Sequence, residues 1–502
     1  MGRIDTLANC FTDICDAIRA KTGKTDKITP ANITTEIASI PTGETPAIGY
    51  TVEQWDAEGN PTSMTFHGYN KIPDGMFYYN MGASKLEHII LTESVTEIGQ
   101  HAFNGNKNLI DVTLPENLTV MGTMSFYGCN NLERINLSNS MTTIESYLFY
   151  ECSKLDFDKL PDSITSIGEY AFYKCTNLSL SELPSGLTEI KNYTFKDCVN
   201  LALNTLPEKV TKVGSYAFDG CTNLALTELP ETVTSWGSYA FRNSGVAIKT
   251  LPLLFNNANS RQIPNYFFYG CKNITDFTFP EVTNAGAQYR QIMAYAFAEC
   301  TNLTMKEFPK AVYTINEKAF FNCTSLDVPE LEVYNWNGNT ANWSGKYAFS
   351  NTGLTKVKLT ANAYQPSGSY MGSHMFANCL KLEEVTVTGR FEFGTNAFDS
   401  CPILKKFDIG FRTNQTTRVN LKSTMFQNCT SLDTVIIRYD NGISTLGATS
   451  AFNGTPIASG TGYIYVPSAL IDTYKTATNW STYADQIRAI EDYPEICGEV
   501  TA

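Results

Sequence analysis

A phenylalanine that returns every 23 residues constrains this chain more than any other feature. Phe103, Phe126, Phe149, Phe172, Phe195, Phe218 and Phe241 follow one another at steps of 23. The series runs on through Phe268, Phe297, Phe320, Phe349, Phe376, Phe398, Phe426 and Phe452 at steps of 22 to 29, with Phe77 as a first copy. Sixteen registered copies identify a repeat array. One unit of that length cannot bury its own apolar edge, so successive units must stack as coils and share one core. At 502 residues the chain is also longer than a single compact core supports.

The cysteines keep the same register. Eleven of the 14 stand three residues after a repeat phenylalanine: Cys129, Cys152, Cys175, Cys198, Cys221, Cys271, Cys300, Cys323, Cys379, Cys401 and Cys429. Three residues further on is an apolar residue, such as Leu132, Leu178, Leu224 or Leu432. One cysteine per coil makes a ladder, not a tetrahedral cluster, and there is no C-x-x-C pair. The expectation is small buried thiols filling equivalent slots, with no metal and no cofactor.

A well-formed unit reads L-P-x-x-V-T-x-I-G-x-Y-A-F-x-x-C-T-N-L, as in ELPETVTSWGSYAFRNS at 228–244. It supplies two short extended stretches, with turns at proline and at glycine. These residues resemble the BspA-like leucine-rich repeats found in bacterial surface proteins and in some phages and protists. The resemblance covers roughly residues 67–460 and implies a right-handed, β-rich solenoid used for binding. It brings no catalytic motif. The expected fold is thus a β-rich solenoid of about 15–16 coils over 67–460, with a small N-terminal helical module and a C-terminal helical cap.

In residues 1–43, Ile4, Leu7, Phe11, Ile14 and Ile18 recur three and four apart, an apolar helical stripe. Thr29 and Pro30 open a second short helix carrying Ile33, Ile37 and Ile40. The segment DAIRAKTGKTDKITPANI resembles the N-terminal part of minor tail or tail-fibre proteins of phages of Gram-positive gut bacteria. That resemblance implies attachment to phage tail or baseplate proteins. The stripe also suits homo-oligomerisation, a trimer above other states. Residues 44–66 read as a hairpin around Glu58-Gly59-Asn60-Pro61, a linker or first cap. Residues 461–502 form the C-terminal cap, where 463–490 switch from period two to helical spacing.

After Phe241 most units are longer than 23 residues, and the extra residues enter mostly between the two extended stretches. Insertions at one repeat position map to one face, here a rim of loops. The inserts are rich in amides and aromatics, suited to sugar rings and protein epitopes. The candidate contact residues are Tyr334, Asn335, Trp336, Asn337, Asn339 and Trp343 in one insert, with Tyr289, Arg290, Tyr364 and Arg412 in others. Ordinary solvated loops are the plain alternative.

Other functions are disfavoured. A net charge of −13 with no basic block argues against nucleic acid. No run of about 18 apolar residues suggests a membrane span, and no export signal opens the chain. Four scattered histidines, His67, His88, His101 and His374, match no catalytic motif. Asp156 and Asp158 are the nearest approach to paired carboxylates and read as surface charges. The expected role is non-enzymatic: a phage tail-associated protein, located in the virion, that binds a bacterial cell-surface glycan or protein. A bacterial surface adhesin of the same repeat family is the alternative, and a structural spacer without a ligand is another.

Overall fold

The computed structural model describes residues 48–78, 85–252, 262–279, 291–309, 312, 314–328, 330–333, 342–343, 345–361, 369–389, 391–410 and 419–497. The helical module expected in residues 1–43 lies outside them. The chain divides into two units, Met1–Ala225 and Leu226–Ala502.

In the first unit Gly49–Trp55 pairs antiparallel with Pro61–His67, and the Asp56 carboxylate accepts the Glu58 and Asn60 amides in the turn between them. His88–Leu91, Asp111–Thr113 and Arg134–Ile135 then add in parallel. A second face carries two-residue strands, among them Glu97–Ile98 beside Val120–Met121, Thr143–Ile144 beside Ser166–Ile167, and Glu189–Ile190 beside Lys212–Val213. Each of these three pairings joins residues 23 apart, such as Ile98 to Met121, so the repeat period is the strand register.

The first extended stretch is a strand only up to Ile135 in this unit. Leu178, Leu180 and Leu183 are all buried, a spacing of two then three that breaks period-two alternation. Successive coils are held there by single bonds, such as Ala202 N–H to the Leu180 carbonyl at 3.1 Å.

The glycine that ends the second strand is required by close packing. A β-carbon on Gly168 would stand 2.3 Å from the Ser146 nitrogen of the preceding coil, and one on Gly214 would stand 2.6 Å from the Asn192 nitrogen. The phenylalanine column lies beyond it. Phe103, Phe126, Phe149, Phe172, Phe195 and Phe218 are fully buried, with consecutive rings stacked at 5.3–6.0 Å. Each thiol then ties its coil to the one before. Cys152 donates to the Phe126 carbonyl at 3.1 Å, Cys175 to Phe149 at 3.1 Å, and Cys221 to Phe195 at 3.0 Å. The described cysteines are free and buried.

The second unit has two parallel sheets. One contains Gln262–Ile263, Gln291–Ile292, Thr314–Ile315, Asn342–Trp343, Ser369–Met371 and Phe391–Glu392. The other runs from Leu331–Val333 through Lys356–Ala361, Glu384–Thr388, Lys406–Gly410, Thr434–Ile437 and Tyr463–Val466 to Ile487–Ala489. Its own phenylalanine column, Phe241 to Phe452, stacks at 5.2–6.0 Å.

The C-terminal segment differs from the expected helical cap. Tyr463–Val466 and Ile487–Ala489 continue the parallel sheet, and only short helices such as Ile471–Thr476 lie between them. The helical spacing over 463–490 comes from anchors rather than from one long helix. Trp480 and Tyr474 are fully buried. The Trp480 indole donates to the Ser444 carbonyl at 2.7 Å, and the Tyr474 hydroxyl accepts the Ser444 amide at 2.9 Å. Arg438 forks onto Asp408 through two bonds of 2.8 Å and also donates to the Cys497 carbonyl.

Candidate binding surface

Three of the inserts after Phe241 follow the ends of strands of one sheet. Val333 and Ala361 end neighbouring strands of the seven-stranded sheet and are register partners; Gly410 ends another strand of that sheet, paired with Thr388. The chain next described after Val333 and after Ala361 is a strand of the other sheet, Asn342–Trp343 and Ser369–Met371. Inserts of successive coils therefore leave from the same edge.

Of the candidate contact residues, Tyr334, Asn335, Trp336, Asn337, Asn339, Tyr289, Arg290, Tyr364 and Arg412 lie outside the described residues. Trp343 lies in the two-residue strand Asn342–Trp343. Asn342 pairs with Thr314, and Trp343 pairs with Met371.

The motif also builds a surface that spacing alone does not reveal. The residue two before the phenylalanine has a left-handed backbone in these coils, with φ of 57° at Tyr147 and Tyr170 and 58° at Tyr193 and Tyr216. The residue two after it is left-handed as well, as at Glu151, Lys174, Asp197 and Gly220. Such backbone costs roughly 1 kcal/mol or more at a non-glycine residue. An inter-coil ladder offsets it: Tyr147 N–H donates to Glu169 O at 2.9 Å, Phe149 N–H to Ala171 O at 2.9 Å, and Glu151 N–H to Tyr173 O at 2.7 Å.

This backbone turns the tyrosines outward into half-buried stacks. Tyr147, Tyr170, Tyr193 and Tyr216 stack at 4.4–4.6 Å with ring planes within 8°. A second column, Tyr127, Tyr150 and Tyr173, runs beside it at 4.4–4.5 Å. Within one coil the two columns are 5.8 Å apart. The Lys196 amine lies 5.7 Å from the Tyr173 ring centre, held by Asp197 at 3.0 Å and the buried Asp219 at 2.9 Å. Partial burial and neighbouring phenols push the Tyr170 hydroxyl up to about 12. In the second unit Tyr239, Tyr266 and Tyr295 stack at 4.4 Å.

The residues weighed for catalysis have other partners. Asp156 accepts the Ser179 amide at 2.7 Å and the Ser179 hydroxyl at 2.9 Å in the next coil. Asp327 holds Thr355 in the same way. These carboxylates join coils. His67 bonds Thr51, His88 bonds Asp111, His101 bonds Asn104, and His374 stacks on Tyr347. No group of three or more metal-ligating side chains is assembled among the described residues. Among those residues no helix is long and apolar enough to cross a membrane.

The BspA type Leucine rich repeat region, six copies in extent, matches residues 70–202, 189–327, 290–419 and 342–469. The chain belongs to the BspA-type leucine-rich repeat family. The fold is similar to that of a leucine-rich repeat protein from Bacteroides ovatus. That structure is 18% identical, with 89% of this chain and 99% of that chain covered and a TM-score of 0.50. A leucine rich cell surface protein from Faecalibacterium prausnitzii is 19% identical over 88% of this chain and 97% of its own, with a TM-score of 0.33. A T. pallidum leucine rich repeat protein is 29% identical over 36% of this chain and 91% of its own, with a TM-score of 0.29. No curated protein matches the chain.

Proposed function

We infer that this BspA-type chain is a non-enzymatic binding protein displayed at a bacterial surface, with its long inserts as the contact elements. The observation that carries this reading is the common edge: Val333 and Ala361 are register partners, and an insert follows each. Variable loops on a rigid scaffold are where binding concentrates. Amide- and aromatic-rich sequence such as YNWNGN at 334–339 suits glycan or protein surfaces. Family membership supports the same reading, since the sequence resembles repeats of bacterial surface proteins.

The residues 1–43 that resemble phage tail proteins lie outside the family match, which begins at residue 70. Localisation separates the two. Protease treatment of intact producing cells should remove the chain from the envelope. Recovery in particles with tail proteins would support the virion role, and survival of the chain inside intact cells would contradict surface display.

A further inference from the structure

The tyrosine columns of the first unit are more regular than the turn beneath them requires. The left-handed position two before the phenylalanine accepts His101, Met124, Asn396 and Thr424 in other coils, and asparagine tolerates that backbone more readily than tyrosine does. Tyr147, Tyr170 and Tyr193 nonetheless fill it in consecutive coils, while Tyr127, Tyr150 and Tyr173 fill the position after the phenylalanine. All six are half-buried. Successive rings of a column are 23 residues apart in sequence and stack at 4.4–4.6 Å with planes within 9°. Their hydroxyls bond along the columns, Tyr150 to Tyr127 and Tyr170 to Tyr193. Faces and hydroxyls are thus engaged by one another, which suits a reaction between the rings and not a docked ligand.

That reaction is oxidative coupling. A phenol gives up an electron together with its hydroxyl proton, and a hydrogen-bonded neighbour gives the proton a place to go. The phenoxyl radical carries much of its spin on the ring carbons beside the C–O bond. Two such radicals join there: one carbon–carbon bond forms, the two C–H bonds at the joined carbons break, and those hydrogens restore the hydroxyls. The two electrons and two protons released pass to hydrogen peroxide, which a haem peroxidase reduces to two waters. Stacking also selects the partner. Tyr150 has Tyr127 and Tyr173 at 4.4 and 4.5 Å in the coils on either side, whereas Tyr147 of its own coil is 5.8 Å away and tilted by 37°. A link across coils closes a loop through one repeat and restricts the unfolded chain, so it fixes the stacked register covalently.

We propose that the columns Tyr127–Tyr150–Tyr173 and Tyr147–Tyr170–Tyr193 are a modification site, at which peroxide and a haem peroxidase couple stacked tyrosines of successive coils into dityrosine. These residues are distinct from the inserts, and the proposal stands whether or not the inserts bind. The test treats the full chain, at low concentration, with hydrogen peroxide and a haem peroxidase, then reads chain mass, dityrosine fluorescence and digested peptides. The expected product is a single chain lighter by two hydrogens per link, with the peptides holding Tyr127 and Tyr150, or Tyr170 and Tyr193, joined. The double change Tyr150→Phe with Tyr170→Phe keeps the rings and removes two hydroxyls. It should lose those links and keep the one between Tyr193 and Tyr216, which stack at 4.6 Å. Should that variant melt early, Tyr150→Phe alone should lose the first link and keep the second. Three results would overturn the proposal: no joined column peptides, links confined to chains joined through the more exposed Tyr370 and Tyr463, or the same internal pairs in equal yield from chain unfolded in urea before oxidation.

Discussion

The Cys198 thiol donates to the Phe172 carbonyl of the preceding coil at 2.9 Å. It spans two coils with one weak bond, while the Phe195 ring stacks on Phe172 at 5.5 Å and on Phe218 at 5.7 Å. The two columns should therefore differ in worth. Phe195→Ala is expected to cost about 3–5 kcal/mol, and Cys198→Ala about 1–2 kcal/mol. Thermal melts of both variants check this. Reductant should leave the wild-type melt unchanged; a shift would point to disulfides.

Alkaline pH should loosen the coils. Burial holds the Cys152, Cys175, Cys198 and Cys221 thiols well above the usual 9.0, and Tyr170 titrates near 12 against an ordinary 10.0. The folded state keeps these protons while the unfolded chain releases them. The stabilisation is complete below the unfolded values and is lost as pH rises from about 9 upward. Melting temperature followed from neutral pH to pH 11 should be flat at first and then fall. No decline above pH 9 would contradict this.

Left-handed backbone at non-glycine positions reverses the usual ranking of alanine and glycine. Glu151 has φ of 59°, while Gly128 and Gly220 fill the equivalent position in other coils. Glu151→Gly should be more stable than Glu151→Ala by roughly 1 kcal/mol. Denaturant melts of the pair measure this, and the opposite order would remove the strained-turn account.

How much of this was legible in the sequence depends on what side-chain spacing reports. The phenylalanine and cysteine columns were legible because each coil repeats one buried side chain at one register. Backbone handedness was not, since tyrosine gives no sign of a positive φ and only occasional glycines such as Gly220 hint at it. Tyr463–Val466 falls where the C-terminal sequence still has period two, whereas the strand Ile487–Ala489 follows helical segments at helical spacing and was not legible.

Arg438 holds the closing segment. Asp408 is buried, and Arg438 is its bidentate partner at 2.8 Å. Removing the arginine leaves a buried carboxylate without its fork, at a cost of about 3 kcal/mol. Arg438→Ala should lower the melting temperature and speed proteolysis near Pro494–Cys497. Unchanged proteolysis would show that the strand Ile487–Ala489 holds the end alone.

The proposed function rests on the inserts. Trp343 pairs with Met371 in the sheet, so its truncation is expected to act on stability, whereas Trp336 lies among the residues between Val333 and Asn342. The deciding measurement compares binding of wild-type chain, Trp336→Ala and a variant with residues 334–341 replaced by a short turn, on arrays of surface glycans and whole cells. The account predicts loss of binding in both variants, at least about 2 kcal/mol for a hot-spot tryptophan, with melting curves that overlay the wild type. Binding that survives both changes would contradict the account.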